Sequence, residues 1–77
     1  MNSFSTHTFS LIASNQPAVV ERLLRVIRHR GFTLQSFELN ATSKGLEIDF
    51  EVESSRAVSL LINQLEKLYD VKQLTLK

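Results

Sequence analysis

Hydrophobic and polar positions alternate most cleanly over residues 46–53. There Leu46, Ile48, Phe50 and Val52 interleave with Glu47, Asp49, Glu51 and Glu53. A period of two predicts a strand with one face on a core and the other in water. Residues 4–13 alternate more crudely. His7, Phe9, Leu11 and Ala13 point one way, and Thr6, Thr8, Ser10 and Ile12 the other, which again predicts a strand. Residues 32–40 read as a further strand whose apolar parity slips between Leu34 and Phe37. Such a slip predicts a bulge, or a strand with both faces partly covered. Val71, Leu74 and Leu76 predict a short last strand.

Between the strands the period changes. Val20, Leu23, Leu24 and Ile27 recur at i, i+3, i+4 and i+7, one face of a helix. Asn15 or Gln16 is expected to cap it, with Asn15 the better side chain, and Pro17 suits the first turn. Gly31 supplies a left-handed stop, and Arg28, His29 and Arg30 sit in the last turn, where cations favour the negative end of the helix dipole. Ala57, Leu60, Leu61, Leu65 and Leu68 predict the buried stripe of a second helix, with Ser54 and Ser55 as caps. Residues 41–45 read as a hairpin loop, with Gly45 available for a positive φ. The order is βαββαβ. Right-handed crossovers turn it into an α+β, ferredoxin-like fold: one four-stranded antiparallel sheet with both helices on one face. Strands 1 and 3 are expected at the centre, and strands 2 and 4 at the edges.

Length adds one constraint. Seventy-seven residues make one small domain, residues 1–77. Such a chain buries only roughly 60–65% of its unfolded surface, which leaves little spare stability for deep clefts. Nine basic against eight acidic side chains give a net charge of +1, so overall charge does not drive the chain to polyanions. The absence of cysteine excludes disulfides, thiolate metal sites and Cys nucleophiles, and fits a reducing, cytoplasmic location. No apolar run approaches the roughly 20 residues of a membrane span, and the N-terminus lacks the basic start and apolar block of a secretory signal.

Candidate chemistry is sparse. Catalysis needs a nucleophile with a base, a carboxylate pair in a cleft, or a metal. His7 and His29 have no second His or Cys at ligand spacing, and Gly31 and Gly45 form no phosphate loop. Glu47, Asp49, Glu51 and Glu53 are explained as the solvent side of a strand. The isolated chain is therefore expected to have no catalytic residues, no metal and no cofactor. RNA binding through the sheet is disfavoured, because phosphates would meet those acids. Arg22, Arg25, Arg28 and His29, with Arg30, form a basic ridge on the first helix. It reads as a solvated face, as a docking surface for an acidic protein partner or, least favoured, as a nucleic-acid contact. Val19 and Val26 lie off the expected core stripe, and Val58, Ile62 and Tyr69 widen the apolar face of the second helix. With the unpaired edge of strand 2, these suggest a homodimer through the sheet edge or the helices.

Two runs carry a specific likeness: NQPAVVERLLRVIRHRGF at residues 15–32 and SRAVSLLINQLEKLYDV at residues 55–71. With the βαββαβ order, they resemble an ACT domain. Among ACT domains they look most like the small regulatory subunits of acetolactate synthase (acetohydroxyacid synthase) of the short isozyme II type. The resemblance covers nearly the whole chain. It implies a non-catalytic partner of a large subunit that binds thiamine diphosphate, magnesium and FAD and condenses pyruvate with pyruvate or 2-oxobutyrate, in the synthesis of valine, leucine and isoleucine. In several isozymes the small subunit also confers feedback inhibition by valine.

In the family, ACT domains pair side by side and an amino-acid effector lies at the seam. The loop after strand 1 comes from one copy and the start of strand 2 from its neighbour. Carried over here, the resemblance places effector binding at Asn15, Gln16, Pro17 and Ala18, with Thr33 and Leu34. Ala18 stands where effector-binding relatives commonly have glycine, and Pro17 lacks an N–H; both argue against a bound effector. The chain ends at Lys77, so the additional C-terminal domain of longer small subunits is expected to be missing. A free-standing amino-acid sensor of the same fold is the alternative reading.

Overall fold

A computed structural model describes residues 4–77; residues 1–3, at the start of the segment read above for a secretory signal, lie outside the described residues. Three strands follow the hydrophobic alternation: β1 (Ser5–Ala13), β2 (Thr33–Thr42) and β3 (Gly45–Ser54). β4 (Val71–Leu76) closes the chain, and α1 (Val19–His29) and α2 (Val58–Glu66) complete the βαββαβ order. The sheet order is β2-β3-β1-β4 and all its pairings are antiparallel. β1 and β3 are central, as the alternation requires of the two strands that bury most.

Their register sets Phe9 opposite Phe50, Leu11 opposite Ile48 and Ala13 opposite Leu46. The Phe9 and Phe50 rings stack at 5.1 Å with an interplanar angle of 12°, and Phe37 continues the row at 6.3 Å from Phe50. Burying side chains of this size stabilises the fold by roughly 1.5–3 kcal/mol each. The slip foreseen in β2 is a bulge at Gln35: Leu34 pairs with Val52, Ser36 with Glu51. It returns both Leu34 and Phe37 to the core side.

The helices cover this face, with a phase that differs from the expected one. In α1 the deepest residues are Val19, Leu23 and Ile27, while Val20 and Val26 pack against the core from its flanks. Val19, read above as lying off the stripe, is only 1% exposed; Leu24 is half-buried. Apolar residues at 19, 20, 23, 24, 26 and 27 make a broad stripe, and its deepest row depends on how the helix crosses the sheet. α2 buries Leu61 and Leu65, and Val58, Ile62 and Leu68 pack beside them. Leu60 and Ala57 are turned out. Val58 and Ile62 therefore belong to the core, while Tyr69 is 89% exposed.

Neither expected cap forms. Residue Ala18 precedes α1 and Ala57 precedes α2, without side-chain capping bonds. Asn15 is too far upstream of Val19 to reach the first free N–H groups. Ser54 instead bridges two loops: its Oγ accepts from the Arg56 N–H at 3.0 Å and donates to the Gly31 carbonyl at 2.9 Å. Gly31 ends α1 at φ +82°, as expected. The hairpin is tighter than foreseen. Thr42 pairs with Gly45, which leaves a two-residue turn, and Thr42 Oγ1 accepts from the Lys44 N–H at 3.1 Å. Gly45 has φ +127°, and a Cβ there would lie 2.3 Å from the Ala13 carbonyl oxygen, so the β1 end closes over it.

One buried carboxylate ties together the end of the sheet opposite the Ser54 bridge. Asp70 is 2% exposed, its carbonyl accepts from the Ser14 N–H at 2.8 Å, and its Oδ2 meets the Arg22 guanidinium. The pair fastens α1 to the turn before β4. Removing the arginine strands a buried charge, whereas removing the acid leaves a cation that water can reach. We expect Arg22→Leu to lower stability by about 2–3 kcal/mol, below the roughly 3–5 kcal/mol of a fully buried pair. Asp70→Asn should cost about half as much. Urea unfolding of the two variants checks the order; an equal loss would deny the asymmetry.

On the other sheet face, Ser10 Oγ donates to Asp49 Oδ1 at 2.6 Å, and Lys77 Nζ lies 3.4 Å from the same oxygen. The Ser10 hydrogen bond, helped by Lys77 and opposed by partial desolvation, holds the Asp49 carboxyl below its ordinary value of 3.8. A lowered folded-state value means that this stabilisation is complete above the unfolded value and is lost as pH falls through the folded one. In an NMR pH titration, Ser10→Ala should move the Asp49 carboxyl back up towards 3.8. An unmoved titration would assign the shift to Lys77 instead.

Candidate functional site

The loop between β1 and α1 is exposed from Asn15 to Ala18, and much of its backbone is already engaged. Ser14 N–H donates to Asp70, Gln16 N–H to Ser14 and Val19 N–H to Gln16, while Pro17 has no N–H. Ala18 sits at φ −96°, ψ 2°, in the bridge region, which does not require glycine. Thr33 and Leu34 lie elsewhere. Thr33 pairs with Glu53, which pairs with Thr6, whereas the loop follows Ala13. Seven register positions separate the two places, on the order of 23 Å at the usual rise of a strand. Within one chain these residues do not form a common site; only a second copy can bring them together.

The sheet face away from the helices is polar. Thr6, Thr8, Ser10 and Ile12 of β1 lie beside Glu53, Glu51, Asp49 and Glu47 of β3, and Glu38 of β2 faces Asp49. Five of the chain's eight acids thus share one face, and its two central strands present no aromatic ring there. That surface lacks both the stacking platforms and the positive field that single-stranded RNA requires. Among the described residues no three His, Asp or Glu side chains are grouped where they could hold a metal ion.

The helix layer has the opposite character. Arg25, Arg28 and His29 are exposed on α1, and Arg30 follows at its end. Arg22 belongs to the same helix, but its guanidinium is taken by Asp70. The ridge expected from the sequence therefore loses one member to the fold. It gains another that periodicity did not reveal: Arg56, from the loop between β3 and α2. The Ser54 bridge brings that loop onto the end of α1, and the Arg56 side chain lies across Gly31, whose missing Cβ would sit 2.8 Å from its Nε.

Between the helices this arrangement leaves a hollow of about 240 Å³ lined by His29, Arg30, Arg56, Leu60 and Gln64. A second, of about 210 Å³, shares His29, Arg30 and Gln64 and adds Arg25 and Val26. The only ion pairs among the described residues are Arg22–Asp70 and Lys77–Asp49, so the arginines of this groove have no carboxylate of their own. Such a surface is electrostatically suited to anions. It has no nucleophile–base pair and no enclosed cavity in which to exclude water from a reaction.

The pattern that defines the ACT domain family matches residues 15–74. The acetolactate synthase isozyme 2 small subunit of Escherichia coli K12 is 43% identical over 67 residues, covering 84% of this chain and 77% of that protein. Its counterpart in Shigella flexneri shows the same values. An uncharacterized protein of Haemophilus influenzae is 38% identical over 60 residues, which are 78% of this chain but only 23% of that protein. Among solved structures, the crystal structure of the ACT domain from GTP pyrophosphokinase of Chlorobium tepidum superposes with a TM-score of 0.82, covering 97% of this chain and all of that one. The regulatory subunit of aspartate kinase from Thermus thermophilus gives 0.72, covering all of this chain and 54% of that one. At 12% and 15% identity these two show the fold alone. The shared βαββαβ sheet, the matched span and the 43% identity across most of the sequence place this chain in the ACT domain family.

Proposed function

We propose that this chain is a non-catalytic regulatory subunit that binds the large subunit of an acetolactate synthase and raises its activity, in the branched-chain route to valine, leucine and isoleucine. The observation that carries the reading is the 43% identity to an acetolactate synthase small subunit over 84% of the chain. The surface is consistent with it: anion-binding arginines and an acidic sheet face suit protein contacts and supply no reaction centre. Thiamine diphosphate, magnesium and FAD belong, on this reading, to the large subunit.

The alternative is a free-standing amino-acid sensor. Against it stands the β1–α1 loop, in which internal hydrogen bonds and Pro17 reduce the N–H groups available to an effector carboxylate.

Two measurements separate these readings. Adding the purified chain to the large subunit should raise the rate of acetolactate formation until the two are equimolar, and an unchanged rate at saturating ratio would refute the regulatory role. Calorimetry of the chain alone with valine, leucine or isoleucine should give no saturable heat. Micromolar binding of any of the three would favour the sensor.

A further inference from the structure

We propose that the groove between the C-terminal half of α1 and α2 is the docking site for an acidic segment of the partner subunit, one that carries carboxylates beside an apolar side chain. This rests on the regulatory-subunit reading and names the surface through which it acts. All five arginines of the chain lie on the helix layer or in the loops that end on it, whereas of its four lysines, Lys44, Lys67, Lys72 and Lys77, only Lys67 does, at the end of α2. Arginine presents a planar fork that holds a carboxylate through two parallel hydrogen bonds, so a concentration of arginine points to carboxylate rather than to diffuse negative charge.

Four of the five, Arg25, Arg28, Arg30 and Arg56, have no ion-pair partner among the described residues. Arg56 is held in place by the chain itself. The buried Ser54 hydroxyl fixes its backbone to the end of α1, and glycine at position 31 leaves room for its side chain. Apolar surface is present beside the cations: Leu60 lines the groove and is 44% exposed although it belongs to a helix with an otherwise satisfied core.

The shape argues for a chain rather than a small ion. Cations and Leu60 are spread over two adjoining hollows with shared walls, and a third, open hollow on Arg25, Arg28 and His29 extends the same surface along α1. A single phosphate would fill one hollow and leave Leu60 in water. An extended acidic segment would engage several arginines and cover it.

The affinity of the chain for the acetolactate synthase large subunit, measured by biolayer interferometry at two salt concentrations, tests this. The double variant Arg25→Glu/Arg56→Glu should bind at least tenfold more weakly than the native chain. Lys44→Glu/Lys67→Glu, with the same change in net charge outside the groove, should change affinity less than threefold. Circular dichroism melting curves should show all of them folded. Equal losses in the two double variants, or none in either, would overturn the groove while leaving the regulatory reading intact. Failure of the native chain to bind at all would overturn both. In parallel, a peptide of alternating glutamate and leucine added to the 15N-labelled chain should shift the amides of His29, Arg56 and Leu60 saturably. Tighter saturation of the same amides by inorganic pyrophosphate or by single-stranded RNA would reassign the groove to phosphate.

Discussion

The antiparallel pairing of β1 with β3, sealed on one face by the Phe9–Phe50 stack, is the constraint on which the rest of the molecule depends. Each strand buries one parity of its side chains, and in a chain of this size there is only enough apolar material for one covered face. The helices must lie there. The other face must then be polar, and it carries the acids of β3. A one-residue slip of this pairing would exchange the two parities and send Glu47, Asp49, Glu51 and Glu53 into the core. The register is therefore strongly enforced, and with it the location of every surface discussed above.

Two buried polar groups decide how the loops sit on that frame. At one end Asp70 holds the start of α1 through Arg22 and the strand exit through Ser14. At the other, Ser54 joins the loop before α2 to the turn after α1. Each is a short hydrogen-bonded bridge between segments far apart in sequence, and each changes what the surface offers. The first withdraws one arginine from the exposed ridge; the second delivers another to it.

The resulting charge distribution is one-sided. A net charge of +1 conceals an acidic sheet face and an arginine-rich helix layer on opposite sides of a single small domain. Like charge on both partners would oppose stacking two acidic sheet faces on each other. A protein that meets the sheet face must bring positive charge, and one that meets the helix layer negative charge. The relatives of this domain include a synthase small subunit, and its fold recurs in the ACT domain of a GTP pyrophosphokinase and in the regulatory subunit of an aspartate kinase.

Much of this was legible in the residues alone. Strict alternation in β3, the parity slip at Leu34–Phe37 and the two glycines at their turns determined the element order, the bulge and the central strands, because period and backbone conformation are local properties. The family could be read from two helical runs. What only the tertiary structure decided were long-range choices: which row of a broad apolar stripe goes deepest, so that Val19 is core and Leu60 is not, and which polar side chains find partners across the fold. Asp70 lies 48 positions from Arg22 and Gly31 lies 23 from Ser54. No local pattern marks such pairs, since their energy comes from burial that exists only once the sheet and helices have closed around them.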